Sequence, residues 1–383
     1  MTLPPLTLPR AVLGRIVAVL DAPTNSFVAL ANIAGLDPKS DFRGADLTGV
    51  DFGTDDLSDF DFSGADLTDA HLSRAAGRDR MKTDAATRLP ANMRRPPPDF
   101  DLDKARDMIL SGKAPPAAWR PFIHRLDFNG MALDRLEPLS GLTALQRLNL
   151  IGTPVSNLVP LSGLTALLSL NLKDTQVIDL SRLSGLIALQ HLNLIGTPVS
   201  DLTPLEGLTA LKTLDLRDTL VSDLTPLKGL TALQRLNLMG TPVSDLTPLK
   251  GLTALKDLEL RDTRVTDVAP LSGVTALQRL NLMGTTLSDV SPLSGLTALQ
   301  NLYLRGSRVS DVSPLKGLIA LLSLSLMRTP VGDVSPLSDL TALRTLDLRY
   351  TLVSCQSALN SFQVTASKSF HLVSPILAVS CAV

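Results

Sequence analysis

Apolar residues recur along most of this chain with a fixed period of 22. Leucine stands at 145, 167, 189, 211, 233, 255, 277, 299, 321 and 343 without an insertion, and Ile123 carries the register one copy back, so residues 123–354 hold eleven copies. Residues 145–166 read LQRLNLIGTPVSNLVPLSGLTA. The LxxLxL opening has the alternation of a short strand. Leu148 and Leu150 are predicted to point inward, and Arg147, Asn149 and Ile151 outward. Val155, Leu158, Leu161 and Leu164 add further inward positions. Pro160 and Gly163 suit a tight turn or a 3-10 segment and would spoil a long helix. Asn157, Asp179, Asp201, Asp223 and Asp245 precede that segment and are predicted to cap its free amides. One copy has too little apolar surface to fold alone, so the copies must stack.

Other patterns flank this array. Residues 41–75 have a period of five, with Phe42, Leu47, Phe52, Leu57, Phe62, Leu67 and Leu72 at its apolar position. Residues 1–40 read as short helices, over 11–20 and 26–34. Residues 76–98 are polar and basic, end in RRPPP, and read as a linker whose positive charge can lie against the acidic turns before it. Residues 99–122 read as a cap. A helix begins at Asp101 or Asp103 with Leu102, Met108 and Ile109 as its apolar face, and Gly112 stops it. Trp119 and Phe122 are placed to plug the first copy, because an uncovered solenoid end exposes both core and a strand edge. After Ser354 the pattern ends, and residues 355–383 read as a degenerate cap or a tail.

The 22-residue copies resemble leucine-rich repeats, specifically the class found in internalins. That resemblance implies an α/β-type horseshoe solenoid, with short parallel strands on the concave face and 3-10 or irregular structure on the convex side. One column differs from the family. Thr153, Thr175, Thr197, Thr219, Thr241, Thr263, Thr285, Ser307, Thr329 and Thr351 occupy a position that is usually asparagine bonded to neighbouring backbone, and their hydroxyls are expected to do the same. The five-residue pattern resembles the pentapeptide repeat, which implies a square right-handed β-helix. Seven copies make fewer than two turns, so this module needs support from its neighbours. Long members of that family imitate DNA. This stretch holds nine aspartates and one arginine up to residue 73, but it is short and reads as a structural cap.

Composition narrows the function. The net charge is −1, so nothing draws the whole chain to nucleic acid or anionic lipid. Aromatics are 3%, too few for a base-stacking platform. Cysteine occurs only at 355 and 381, which leaves the body without a disulfide framework or a cysteine zinc site. No stretch reaches the roughly 18–20 apolar residues of a membrane span. The run AVLGRIVAVL is interrupted by Arg15 and makes a poor signal peptide. The chain reads as cytoplasmic, with secretion or surface display as the alternative that the internalin resemblance suggests. His71, His124, His191 and His371 are scattered, SGKAPP lacks the spacing of a phosphate loop, and no serine stands in GxSxG. The expectation is a monomeric, non-catalytic binding module without cofactor or metal, taking a protein partner rather than nucleic acid or membrane.

The outward strand positions are the candidate binding face. The third column contributes Arg147 and Arg235, among Ser169, His191, Thr213, Asp257, Arg279 and Asn301. The fifth contributes Asn149, Asn171, Asn193, Asp215, Asn237, Glu259, Asn281 and Tyr303. The seventh alternates apolar and basic: Ile151, Lys173, Ile195, Arg217, Met239, Arg261, Met283, Arg305, Met327, Arg349. The eighth alternates Gly and Asp from Gly152 to Gly284, so the true unit is a pair of copies. Duplication of a two-copy block explains this as well as a stripe of exposed apolar contacts interleaved with bases, which would suit a partner with spaced acidic and apolar groups.

Overall fold

The computed structural model of the chain describes residues 24–78, 80–84, 86–90, 96–354 and 369–371. It divides into two compact units between Pro98 and Asp99.

In the first unit, Ser26 starts helix α1 (Phe27–Ala34), accepting the Ala29 N–H at 3.1 Å and donating its own hydroxyl to Asp55 at 2.9 Å. The other expected helix, over 11–20, lies outside the described residues. The period of five becomes a coil. Asp46 bridges Asp66, Asp51 bridges His71 and Asp56 bridges Ala76, each in parallel, so one turn takes four of the five-residue units. Phe52, Leu57, Phe62, Leu67 and Leu72 fill its interior, and the Phe27 ring packs on Phe52 with centroids 4.5 Å apart. The expected linker needs correction over its described part. Asp61 bridges Lys82 and Asp66 bridges Arg88, so the ladder runs on through a further part-turn. Ion pairs reinforce it, Lys82–Asp61 at 3.0 Å and Arg88–Asp66 at 3.1 Å. Met81 goes into the core. Strand backbone left open by Asp61 and Asp66 takes up the basic stretch, because unpaired backbone at an edge is costly.

The second unit opens with helix α2 (Leu102–Leu110), capped by Asp101 through the N–H groups of Asp103 and Lys104. Ala105 and Ile109, one helical turn apart, are fully buried. Leu102 is not part of that face; it is 43% exposed. Trp119 is buried in the same core, with Phe100 edge-on at 5.8 Å, and closes the first copy, while Phe122 is half-buried beside it.

Twelve parallel strands then run in chain order in one sheet. They are β1 (Arg125–Asp127), β2 (Arg147–Asn149), β3 (Ser169–Asn171), β4 (His191–Asn193), β5 (Thr213–Asp215), β6 (Arg235–Asn237), β7 (Asp257–Glu259), β8 (Arg279–Asn281), β9 (Asn301–Tyr303), β10 (Ser323–Ser325), β11 (Thr345–Asp347) and β12 (Ser369–His371). From β1 to β11 the register advances by one sequence repeat per strand without exception, Arg125 opposite Arg147 and so on to Ser323 opposite Thr345. The step to β12 is longer than one repeat, with Thr345 opposite Ser369, so the backbone of the last segment extends the sheet although its sequence does not continue the pattern. Each strand from β1 to β10 leads to a 3-10 turn such as Val159–Leu161. Asn157 caps that turn by accepting the Val159 N–H at 3.0 Å, and Asp201, Asp223 and Asp245 do the same for Thr203, Thr225 and Thr247 at 2.8 Å.

The threonine column does not bridge copies. Thr153 donates to the carbonyl of Leu150 at 2.8 Å within its own copy, and every threonine of the column repeats the pattern to Thr351 and Leu348 at 2.7 Å, while the buried Ser307 hydroxyl makes no hydrogen bond in the described structure. A hydroxyl on Cβ reaches only its own turn, whereas crossing to the next copy means spanning a strand spacing of ~4.8 Å.

The structure also supplies a local cause for the pairing of copies. Every eighth residue is in the left-handed region, from Gly152 at φ 64° and Asp174 at 56° to Tyr350 at 60°. Glycine adopts that conformation freely, and aspartate is among the few side chains that do so readily. Each aspartate also fills space in the following copy. A Cβ on Gly196 would stand 2.5 Å from Asp174 Oδ1, and one on Gly240 or Gly284 would overlap Asp218 or Asp262 outright. Wherever aspartate stands in this column, glycine follows it in the next copy and leaves the carboxylate its place. The tenth column follows the same rule. The N–H groups of Gln176, Leu220 and Arg264 bond back to Val155, Val199 and Val243 at 2.9–3.0 Å, while Pro154, Pro198 and Pro242 in the alternate copies have no N–H to offer.

Stability measurements test both features of the turns. Gly240→Ala and Gly306→Ala share the left-handed penalty of roughly 1–2 kcal/mol, but only Gly240 faces a carboxylate, since the nearest atom to a Cβ on Gly306 is 4.0 Å away. Thermal unfolding is expected to rank Gly240→Ala as the more damaging, with Asp218→Gly bringing it back to the Gly306→Ala level. The second test concerns acid. Hydrogen bonds from the threonine hydroxyl and N–H hold Asp201, Asp223 and Asp245 below the usual carboxylate value. A depressed folded-state value stabilises the fold above the unfolded pKa, about 3.9, and that contribution is lost as pH falls through the folded one. Denaturant midpoints are expected to drop below about pH 4, and less steeply when these three residues are asparagine.

Candidate functional site

The backbone ladder holds the outward side chains of β2–β11 in straight columns, and their local bonding separates those that are free from those that are occupied. The fifth column is largely occupied by its own copy. Asn149, Asn171, Asn193, Asn237 and Asn281 each accept the backbone N–H two residues on, at 3.0–3.3 Å, which sets the turn leaving the strand. Asp215 and Asp347 do the same for Arg217 and Arg349 at 3.2 Å. These residues lie on the candidate face and also hold it in shape.

The seventh column differs from the expected stripe of exposed apolar contacts. Ile195 and Met327 are buried, at 9% and 8% exposure, and Ile151, Met239 and Met283 are half-buried. Four of the alternating bases are paired within their own copy: Lys173 with Asp174 at 3.8 Å, Arg217 with Asp215 at 3.2 Å, Arg261 with Asp262 at 3.0 Å and Arg349 with Asp347 at 2.7 Å. Among the described residues, Arg305 is exposed and has no ion pair. The charge of this column is thus mostly neutralised where it stands.

The start of the strands is different. Arg147 and Arg235 in the third column are exposed and make no ion pair among the described residues. Arg279 is joined only loosely to Asp257, at 3.9 Å. The second column, which lay outside the expected face, adds Lys212 and Lys256; Lys212 bonds the neutral Gln190 at 3.0 Å. Its signal was present in the sequence as an alternation of Gln and Lys between Gln190 and Gln278. His191 senses this field. Burial, followed by Lys212, Arg147 and Arg235, pushes its pKa below the ordinary imidazole value.

Two shallow recesses adjoin here. One, of about 290 Å³, has Arg235, Lys256, Asp257 and Arg279 on its walls with glutamine amides between them. The other, of about 220 Å³, lies further along the strands between Asp215, Arg235, Asp257 and Glu259. Burial raises the pKa of Glu259, Asn281 offsets part of the rise by donating to its carboxylate at 2.7 Å, and the negative charge of Asp257 adds to it. Among the described residues, no group of three or more His, Cys, Asp or Glu is placed to hold a metal ion, and no helix is long and apolar enough to cross a membrane.

Glu259 generates a test of this geometry. A raised folded-state value favours the fold below the unfolded pKa, about 4.3, and loses that advantage as pH rises through the folded value. Glu259→Gln keeps the acceptor for Asn281 without the charge. It is expected to unfold at a higher temperature than the parent at neutral pH and at the same temperature in acid. A parent carboxyl resonance titrating at or below the ordinary glutamate value would contradict the assignment.

Comparison with known proteins agrees with the repeat pattern. The family described as Leucine Rich repeats (2 copies) matches residues 187–229, 209–251 and 275–317. Among solved structures, an internalin from Listeria monocytogenes is 29% identical over 69% of this chain and 79% of its own, with a TM-score of 0.64. A leucine-rich-repeat protein from Leptospira interrogans is 16% identical over 81% and 90%, with a TM-score of 0.60. A plant peptide hormone receptor, RGFR1, solved in complex with RGF2, is 16% identical over 78% of this chain and 50% of its own, with a TM-score of 0.53. No curated protein sequence matches the chain.

Proposed function

We propose that this leucine-rich-repeat protein is a non-catalytic, monomeric scaffold that holds a protein partner across the strand face of β2–β11, through the third, fifth and seventh columns of the repeat. The observation that carries the reading is the uncovered face itself. Ten in-register strands present aligned polar side chains over about 43 Å, enough for a standard interface of about 800 Å² per partner. The solved plant receptor of similar fold is in complex with RGF2, which fits a scaffold of this kind. On this reading the protein is an intracellular bacterial sensing or scaffolding part. We further assign residues 41–75 to a short pentapeptide-type β-helix, on the bridge spacing of four five-residue units. A second reading, an exported internalin-like adhesin, is favoured by the 29% identity to the Listeria internalin.

Placing indole rings on the face tests the first reading without touching its charge. Ser169→Trp, Thr213→Trp and Asn301→Trp together are expected to abolish capture of the partner by the full chain while circular dichroism stays unchanged. Thr231→Trp and Thr253→Trp, on exposed positions outside the strands, are expected to leave capture intact. Loss in the second variant and not the first would move the binding surface elsewhere. Recovery of the native chain from the medium rather than the cytosol would favour the adhesin.

A further inference from the structure

The unpaired or loosely paired cations of the strand face, which also include Arg147 and Arg305, are densest in one place. On β5 to β8 one cation stands at the start of every strand: Lys212, Arg235, Lys256 and Arg279, drawn alternately from the second and third columns. The alternation between paired copies interleaves these columns, so the gaps of one are filled by the other. Neighbouring strands are ~4.8 Å apart, and the four charges span about 14 Å. Within these two columns only Asp257 opposes them. One of its oxygens lies 3.9 Å from Arg279, and the other is buried without a hydrogen bond in the described structure. At the far end of the same strands, Arg217 and Arg261 are each matched by an acid of their own copy. Over β5–β8 the face is therefore polarised, with free or loosely paired positive charge at the start of the strands and compensated charge at their end.

We infer that this band takes an acidic, extended segment of the partner polypeptide, lying across β5–β8 and partly over the 290 Å³ recess at the starts of β6–β9. This rests on the protein-binding reading above and specifies the chemistry of the partner. In an extended segment, side chains on one face recur every ~6.6–6.8 Å, so three acids at alternate positions span about 13 Å, close to the width of the band. Glutamine amides between the cations supply further donors for carboxylates. A nucleic acid fits less well. The next column along the strands carries Asp215 and Glu259, which would repel a phosphate backbone with one charge per ~1.7 Å of duplex. The fifth column offers one aromatic ring, Tyr303, for stacking.

The probe is a synthetic peptide with glutamate at alternate positions, titrated into the full chain at low ionic strength. Binding is expected, and it should weaken as salt is raised, because exposed charges are screened. The variant Lys212→Gln, Arg235→Gln, Lys256→Gln and Arg279→Gln is expected to bind at least about tenfold more weakly, a loss of about 1.4 kcal/mol. A second variant removes the same charge from the 3-10 turns outside the strand face, as Arg182→Gln, Lys228→Gln, Lys250→Gln and Lys316→Gln, and is expected to bind within about twofold of the parent. Circular dichroism confirms that both fold. The inference is overturned if the peptide does not bind, if both variants weaken it alike, or if single-stranded DNA of equal charge binds more tightly than the peptide. Failure of the peptide alongside partner capture that is still blocked by the indole variant would sink this inference and leave the protein-binding reading standing.

Discussion

The backbone ladder between copies is the constraint on which the rest depends. Each strand is only three residues long and has no stability of its own. Its hydrogen bonds are made to the copies on either side, at a spacing of one sequence repeat that holds from β1 to β11. That register places Leu148, Leu170, Leu192 and their successors in one continuous core, and it aligns the outward residues in columns. A shift of one residue in any copy would turn its leucines to solvent. The ends of such a stack need cover. Trp119 and helix α2 give it at the first copy, and β12 extends the backbone pairing at the other.

The ladder continues past each strand. The eighth residue donates its N–H to the next copy, Asp174 to Ile195 at 2.8 Å and Gly196 to Arg217 at 2.9 Å, while turning into the left-handed region. Two requirements meet at this residue, and Gly and Asp meet both in most copies, with Arg328 and Tyr350 also left-handed near the end of the array. Each Asp leans over the next copy, and in each case that copy carries Gly. The aspartates so placed neutralise Lys173 and Arg261. A steric rule in the turn thereby removes charge from one end of the strand face and leaves the other end to Lys212, Arg235, Lys256 and Arg279. Duplication of a two-copy block and selection on packing are compatible here, since a block of one aspartate copy and one glycine copy stacks on itself with room for the carboxylate.

The first unit meets the same edge problem by another route. Its coil closes one turn with every fourth five-residue unit, and the basic residues after it extend the ladder where the five-residue pattern stops. Asp61 shows the effect. It is buried and paired with Lys82 and Arg43, and hydrogen bonds from Ser63 and then Lys82 hold its carboxyl far below the usual range. A stretch that looks like a linker by composition is structural here because opposite charge and an open backbone edge coincide.

Much of this was legible in the chain alone. A strict period with leucine at fixed positions leaves one way to bury the apolar side chains, so the strand positions, the inward set and the stacking follow without coordinates. The caps at Asn157, Asp201 and Asp223 follow too, because an aspartate or asparagine two residues before a free amide acts within its own turn. Distances between copies were not legible. Whether Thr153 bonds to its own copy or the next, whether Ile195 and Met327 are covered, and which arginines find an acid all depend on how side chains of adjacent copies meet, and a single copy's pattern does not contain that spacing. The period determined that the protein is a stack with a ruled face. The tertiary structure decided which part of that face carries free charge, because a cation is free only when no acid lies within reach in three dimensions.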